Sequence, residues 1–167
     1  MTDQPSARET GPAKDSDDAD PLLCYADTEE SLPSWCSRVE LAAFLNRYMR
    51  PYHDTLEDVQ RGLDYAFSKR PGEGGFVLLA GLQEELAGAL VILHTGMSGY
   101  VPENILLFVG VRPELRGRGI GQQLIERALE ECDGAVKLHV EPDNPAQRLY
   151  SRLGFVKKYD EMRFVRS

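Results

Sequence analysis

The feature that most constrains the fold is an apolar run, Ile105 to Val111, which leads into a glycine-rich turn. The run does not alternate between apolar and polar residues, which is typical of a central strand covered on both faces. After the turn, Ile120, Leu124 and Ala128 recur at helical spacing, so a helix is predicted there, ending near residue 132. A buried strand that passes through a turn into a helix predicts a mixed α/β class built around one sheet.

Other elements follow from local periodicity and turn signals. A first helix is predicted after the capping-box pair Ser37 and Glu40, ending at Pro51, and a second helix is expected to be capped by Asp54. Strands are predicted where short apolar runs lie between turn signals. These runs are Leu22–Tyr25, Phe76–Leu82, Leu86–His94, Ala135–Val140, Phe155–Tyr159 and Met162–Val165.

The length of 167 residues suits one folded domain, which we expect over residues 22–167. Residues 1–21 are rich in Pro, Ser and Asp and have no apolar periodicity, so we expect a disordered acidic tail there. This tail has six acidic and two basic residues, so it carries half of the net charge of −8. The domain itself is only mildly acidic.

Several partners and compartments are disfavoured by composition. An acidic chain lacks the basic surface that nucleic-acid binding needs, and its apolar runs are too short for a membrane span, so neither partner is expected. No secretory signal is recognisable at the N-terminus, which predicts a cytoplasmic protein. Cys24, Cys36 and Cys132 are odd in number and widely spaced, and we expect reduced thiols and no metal site.

The turn after the central strand is a candidate anion site. Glycines allow the backbone to approach an anion, the following helix start presents unpaired N–H groups, and Arg116 and Arg118 add positive charge. A Walker loop is excluded because no Gly-Lys-Ser/Thr follows, and the dinucleotide fingerprint fails because Gly121 comes two residues after Gly119. Taken alone, the segment could equally be a plain connecting turn.

A second segment resolves that choice. Arg116-x-x-Gly119-x-Gly121 matches a signature of the GNAT superfamily of N-acetyltransferases, and the later segment from Asn144 through Tyr150 to Phe155 resembles that family's second conserved segment. Asn144 followed by Pro145 also favours a helix start, so a helix is predicted from Asn144 to Leu153. The resemblance is close in the C-terminal half and rests on element order alone in the N-terminal half.

The resemblance implies a GNAT fold, in which two central strands splay apart and acetyl-CoA lies between them. Val109 and Val111 would then contact the pantetheine arm, and Asn144 would contact it from the other side. The pyrophosphate would rest on the turn and the first residues of the helix. That segment comprises Arg116, Gly117, Arg118, Gly119, Ile120, Gly121 and Gln122.

The same resemblance implies the catalytic groups. Tyr150 occupies the position of the general acid that protonates the departing thiolate, although at this helical spacing a tyrosine could also be a plain core aromatic. His139 lies where some family members carry a base, and Glu103, Glu141 or water are the alternatives.

The function implied is transfer of the acetyl group of acetyl-CoA to a primary amine of a small molecule or peptide. The alternative is a non-catalytic acyl-CoA-binding module with the same fold. By analogy, the acceptor site would be shaped by the 94–104 loop and by the helices around Tyr48, Tyr52 and Tyr65. A homodimer is left open, because the C-terminal strands could pair within their own subunit or with a second copy.

Overall fold

The structure, a computed structural model, describes residues 19–52 and 54–166. Its centre is one mixed sheet of five strands, arranged in chain order from β1 to β5. Neighbouring strands from β1 to β4 run antiparallel, and β5 runs parallel to β4. The strands are β1 (Leu22–Ala26), β2 (Gly75–Leu82), β3 (Glu85–His94), β4 (Asn104–Val111) and β5 (Val136–Leu138). The expected mixed α/β class is confirmed.

Four α-helices flank this sheet in the described part of the chain: α1 (Arg38–Tyr48), α2 (Leu56–Ala66), α3 (Ile120–Glu131) and α4 (Gln147–Arg152). Short 3-10 turns lie at Glu29–Ser31 and Pro113–Leu115. The capping box of Ser37 and Glu40 at the start of α1 is confirmed. The predicted cap of α2 is wrong by one residue, because Thr55 rather than Asp54 accepts the backbone N–H of Asp58.

Alternation along the strands divides the core into two clusters. On β2, Val77 and Leu79 face α1 and α2, whereas Leu78 and Ala80 face α3 and α4. The side chains that fill the first cluster from the helices include Leu41, Leu45, Val59 and Leu63, and those of the second include Ile120, Leu124 and Ile125. Each such buried side chain stabilises the fold by about 1.5–3 kcal/mol, so both helix pairs are held firmly against β2 and β3.

Three expectations for the C-terminal half need correction. The strands predicted at Phe155–Tyr159 and Met162–Val165 are wrong, since residues 155–166 form neither helix nor strand. Charged residues interrupt the apolar ones there, and residues 156–166 are exposed, so no continuous apolar face is available to bury. The strand predicted at Ala135–Val140 pairs only over Val136–Leu138.

The last predicted helix also begins later than expected. Asn144 is not its cap; instead its Oδ1 accepts the backbone N–H of Ala146 at 2.9 Å in a turn, and α4 starts at Gln147. The first 18 residues of the expected acidic tail lie outside the described residues. Within the described part of the chain, no helix is both long enough and apolar enough to cross a membrane.

Candidate active site

The candidate site is a fork between β4 and β5. β4 pairs with β3 from end to end, but β5 pairs with β4 only opposite Asn104 to Leu106. The β3–β4 register shifts at the same place, because Val91 lies opposite Phe108 while Ile92 lies opposite Leu106. Leu107 is therefore the extra residue of a β-bulge, which bends a strand and changes the direction of its side chains. The splayed strands of the predicted fold begin here.

Backbone groups of β4 line one wall of the fork. Arg112 N–H donates to Ala87 O at 2.9 Å, so by the alternation of an antiparallel ladder the backbone of Gly110 also faces β3. The backbone groups of Val109 and Val111 then face away from β3, towards the fork. The structure thus places both predicted pantetheine contacts on an open strand edge.

The glycine-rich turn follows β4 at the open end of the fork. Gly117 and Gly119 have φ angles of 80° and 83°, the left-handed region that side chains disfavour, and a Cβ at either residue would meet nothing within 4 Å. Gly119 is the N-cap of α3 and provides no side chain to cap it. The first N–H groups of α3, at Ile120, Gly121 and Gln122, have no intrahelical acceptor, and this is the usual geometry of an anion site.

Arg116 lies on the turn and makes hydrogen bonds with two backbone oxygens. Its Nη2 donates to Tyr48 O at 2.8 Å and its Nε to Val111 O at 3.2 Å, so the guanidinium ties the turn to the end of α1. Arg118 is exposed on the turn, and the Gln122 side chain donates to Glu126 at 2.9 Å. Beside the turn lies a cavity of about 650 Å³. It is lined by Asn46, Arg47, Tyr48, Arg50 and Pro113.

Tyr150 lies on α4 with its ring packed edge-on against Phe155, and only 8% of the residue is exposed. Burial, and then the Glu141 carboxylate, raise the pKa of Tyr150 to about 12, so the hydroxyl is protonated at neutral pH. Among the described residues, nothing forms a hydrogen bond with this hydroxyl. Since no fully buried side-chain N or O atom in that part of the chain lacks a partner, the hydroxyl must reach accessible space.

The three candidate bases differ in their surroundings. Glu103 accepts the N–H of Ala135 at 2.7 Å and that of Gly99 at 3.3 Å, and these hydrogen bonds lower the pKa of its carboxyl. Glu103 therefore links the segments around the closed end of the fork, which is the end where β4 and β5 are paired. His139 follows β5 and is exposed, with Nε2 3.5 Å from Glu161 Oε2. Glu141, two residues further, is also exposed.

The α1–α2 connection reaches across the fork. The Tyr52 hydroxyl donates to the backbone oxygen of Asp143 at 3.3 Å, which links that connection to the turn before α4. Desolvation, and then the Asp143 and Glu141 carboxylates, raise the pKa of Tyr52. Tyr65, by contrast, donates to Gly72 O and His94 O at the closed end of the sheet. Of these two tyrosines named for the acceptor site, only Tyr52 borders the open part of the fork.

Sequence reasoning missed one polar network. Asn104 is buried at 2% exposure; its Oδ1 lies 2.9 Å from His94 Nδ1, and its Nδ2 donates to Asp133 O at 2.7 Å. This network holds the closed end of the fork. Nothing in the local sequence indicates it, because the three residues meet only through strand pairing. Among the described residues, no group of three or more His, Cys, Asp or Glu side chains is arranged to hold a metal ion.

The family model described as "Acetyltransferase (GNAT) family" matches residues 40–155, more than half of the chain. A possible acetyltransferase from Clostridium difficile 630 has a similar structure, with a TM-score of 0.61 and 16% identity over 87% of this chain and 98% of that one.

Two further structures share the fold. The aminoglycoside N-acetyltransferase AAC(6')-Iy in complex with CoA has a TM-score of 0.58 and 16% identity over 88% of this chain and 95% of that chain. The ribosomal-protein-S18-alanine N-acetyltransferase from Escherichia coli has a TM-score of 0.57 and 14% identity over 83% and 80%. At such identities the likeness extends to the fold alone.

Proposed function

This chain belongs to the GNAT acetyltransferase family, and we propose that it transfers the acetyl group of acetyl-CoA to a primary amine of a small molecule or peptide. The observation that carries the proposal is the fork between β4 and β5. An open strand edge with alternating N–H and C=O groups suits the amides of a pantetheine arm, as a further strand would. The start of α3 at the end of the fork suits the pyrophosphate.

The residues proposed for acetyl-CoA follow from this arrangement. Val109 would bind the pantetheine through its backbone groups and Val111 through its N–H, because Val111 O already accepts Arg116 Nε. The N–H groups from Gly117 to Gln122 would bind the phosphates. Arg116, fixed by Tyr48 O and Val111 O, would hold the turn in the required shape. Arg118 would add charge from the exposed rim, and Asn144 would face the arm from the α4 side.

The chemistry proposed is direct attack of the amine nitrogen on the thioester carbonyl. The N–H of Val109 would polarise the carbonyl oxygen. As the new C–N bond forms and the C–S bond breaks, Tyr150 would donate its proton to the sulfur. Its hydroxyl suits this role, because it is protonated at neutral pH, reaches accessible space and forms no hydrogen bond within the described part of the chain.

A base is needed to remove a proton from the amine. Deprotonating a lysine-like amine at pH 7 costs roughly 4–5 kcal/mol, whereas an α-amine costs about 1 kcal/mol. We propose His139 for this role, acting through water, because it is exposed beside the open part of the fork. Glu141 or water is the alternative. Glu103 is disfavoured, since two backbone N–H groups already stabilise its carboxylate at the closed end.

The cytoplasm remains the proposed compartment. Cys24, Cys36 and Cys132 are all unpaired thiols in the structure. Burial raises the pKa of Cys36 and of Cys132 to about 11, so both stay protonated and unreactive at neutral pH. Unpaired thiols agree with a reducing environment.

Calorimetric titration with acetyl-CoA tests the proposal without knowledge of the acceptor. We expect saturable binding to the unmodified protein and its loss in Gly119→Glu, which puts negative charge at the phosphate site. Gly72→Glu is a matched control: Gly72 has the same φ of 83° and the same open surroundings, but lies in the turn before β2. It should show the same backbone strain and unchanged binding.

The outcomes separate the two candidate functions. Binding that Gly119→Glu loses and Gly72→Glu keeps, together with release of CoA when amines are added, supports an acetyltransferase. Binding without CoA release for any amine tested would favour the non-catalytic module. No binding by the folded protein would contradict both.

A further inference from the structure

The bulge in β4 decides which backbone groups face the fork. Next to the closed end, Glu103 O accepts the N–H of Thr95 at 2.8 Å, so the odd-numbered residues face β3 up to the bulge. Beyond the bulge the even-numbered residues face β3, because Arg112 N–H donates to Ala87 O. Without the extra residue, the backbone groups of Val109 would pair with β3 instead of facing the fork.

The side chains of the bulge lie against α2. Leu106 and Val109 pack in the core cluster of α3 and α4. Leu107 and Phe108, in contrast, both pack in the cluster of α1 and α2. Two consecutive side chains therefore lie on one face of the sheet, where ordinary alternation would place one. Phe108 is only 4% exposed, so α2 must leave room for its ring in a closely packed core.

Gly62 provides that room. It is buried in the middle of α2, although glycine is a poor helix former. A Cβ at this position would lie 2.7 Å from Phe108 Cε2 and 2.8 Å from Leu107 Cδ2, and both distances are too short for two carbon atoms. The backbone of α2 thus contacts both side chains of the bulge at a position where any side chain would displace them.

We propose that Gly62 is a positioning residue for the reaction. Its missing side chain lets α2 hold Leu107 and Phe108 in the bulged register, and that register directs Val109 N–H at the thioester carbonyl. Gly62 touches neither cofactor nor acceptor in this proposal, and it acts on the donor through the side chains of the bulge. The inference rests on the proposed binding of acetyl-CoA in the fork and adds a residue that lies outside both sequence motifs.

The first test is the infrared carbonyl stretch of bound acetyl-CoA, with the acetyl carbonyl isotopically labelled. A hydrogen bond to the carbonyl oxygen lowers this frequency relative to free acetyl-CoA, so the stretch reports directly on Val109 N–H. We expect a downward shift in the unmodified protein and a smaller one in Gly62→Ala, whose methyl group displaces the bulge. Calorimetry should show nearly unchanged affinity, because the phosphates bind at the start of α3. Neither measurement requires an acceptor amine.

Turnover is the second readout. It is followed as CoA release with the amine that reacts fastest in the screen of the unmodified protein. Gly62→Ala should lower kcat about 10- to 10²-fold, the loss expected when a donor to the carbonyl oxygen is misplaced but not removed. The KM for acetyl-CoA should change little.

Two further variants separate positioning from stability. Leu63→Ala removes a fully buried side chain from the next position of α2 but adds no atom beside the bulge. It should lower the melting temperature and, below that temperature, keep the carbonyl shift of the unmodified protein. Phe108→Leu in the Gly62→Ala background removes the ring atoms that the new methyl group would meet. This double variant should regain most of the shift and of kcat.

The possible results lead to different conclusions. A shift that falls in Gly62→Ala, persists in Leu63→Ala and returns in the double variant supports the inference. An undiminished shift in Gly62→Ala, an equal loss in Leu63→Ala, or no shift in the unmodified protein would overturn it and leave the acetyltransferase proposal standing.

The inference stays testable if Gly62→Ala does not fold. The double variant is then compared with Phe108→Leu alone, in which no methyl group refills the space of the ring. A larger carbonyl shift in the double variant supports the inference, and an equal or smaller one overturns it. No binding of acetyl-CoA by the folded, unmodified protein would overturn both the inference and the proposed function.

Discussion

The two edges of β4 contrast in how their backbone groups are used. Towards β3, the strand is paired over its whole length, and the facing part of β3 from Ala87 to Ile92 is completely buried. Towards β5, only the first three residues pair, and β5 itself is half-buried. The closed edge provides stability, and the open edge keeps hydrogen-bonding groups for a ligand. A substitution on the closed edge should therefore affect folding, and one on the open edge should affect binding or turnover.

The largest effect is expected on the open side. Tyr150→Phe should lower kcat by about 10²- to 10⁴-fold, the usual contribution of a general acid, and leave the affinity for acetyl-CoA nearly unchanged. Steady-state kinetics with calorimetry would separate the two quantities. Tyr25→Phe is the control, since Tyr25 is 44% exposed on β1, at the far edge of the sheet. An undiminished kcat in Tyr150→Phe would remove this residue from the mechanism and leave it a core aromatic.

Two glycine substitutions compare how tightly the paired sheet and the fork are packed. A Cβ at Gly75, where β2 pairs with β3, would lie 2.0 Å from Ile92 O, so Gly75→Ala should destabilise the fold by about 3 kcal/mol. A Cβ at Gly121, where α3 meets the fork, would make ordinary contacts of 3.6 Å with Leu149 and 3.7 Å with Val111. Gly121→Ala should leave stability unchanged or raise it by up to about 1 kcal/mol.

Denaturant unfolding measures both variants directly. Equal destabilisation by Gly75→Ala and Gly121→Ala would mean that the fork is packed as tightly as the paired sheet, and the expected difference in packing between them would be wrong.

The smallest effect is expected at the closed end of the fork. Glu103→Gln removes the negative charge of the carboxylate that accepts hydrogen bonds from the N–H groups of Ala135 and Gly99. The melting temperature at pH 7 should therefore fall slightly. Because those hydrogen bonds lower the pKa of Glu103 below its ordinary 4.5, the charged carboxylate stabilises the fold above that pH. The stabilisation is lost as the pH falls through the lowered pKa.

The difference in melting temperature between the unmodified protein and Glu103→Gln should accordingly be largest near neutral pH and vanish in acid. Glu84→Gln, in the exposed β2–β3 turn, should show no such pH-dependent difference. A difference that persists at low pH would indicate that Glu103 acts through packing rather than through its charge.

Much of this contrast was predictable from sequence. The unbroken apolar run Ile105–Val111 predicted a central strand, and the glycines followed by a helical pattern predicted the turn at its end. These predictions succeeded because periodicity and glycine content are local properties. The C-terminal strands failed for a different reason. Charged residues interrupt the short apolar runs of residues 155–166, and whether such runs pair with a neighbouring strand depends on tertiary contacts that no local pattern reveals.

The sequence by itself determined the mixed α/β class, the buried strand, the glycine turn and the identity of the family, since each depends on residue types at fixed spacing. Only the tertiary structure decided that β5 leaves β4 after Leu106, that Arg116 holds the end of α1, and that Glu103 is a structural tie. It also decided that the Tyr52 hydroxyl meets the backbone oxygen of Asp143. These residues are far apart in the chain, and the physical reason is that strand pairing and core packing, rather than sequence spacing, bring them together.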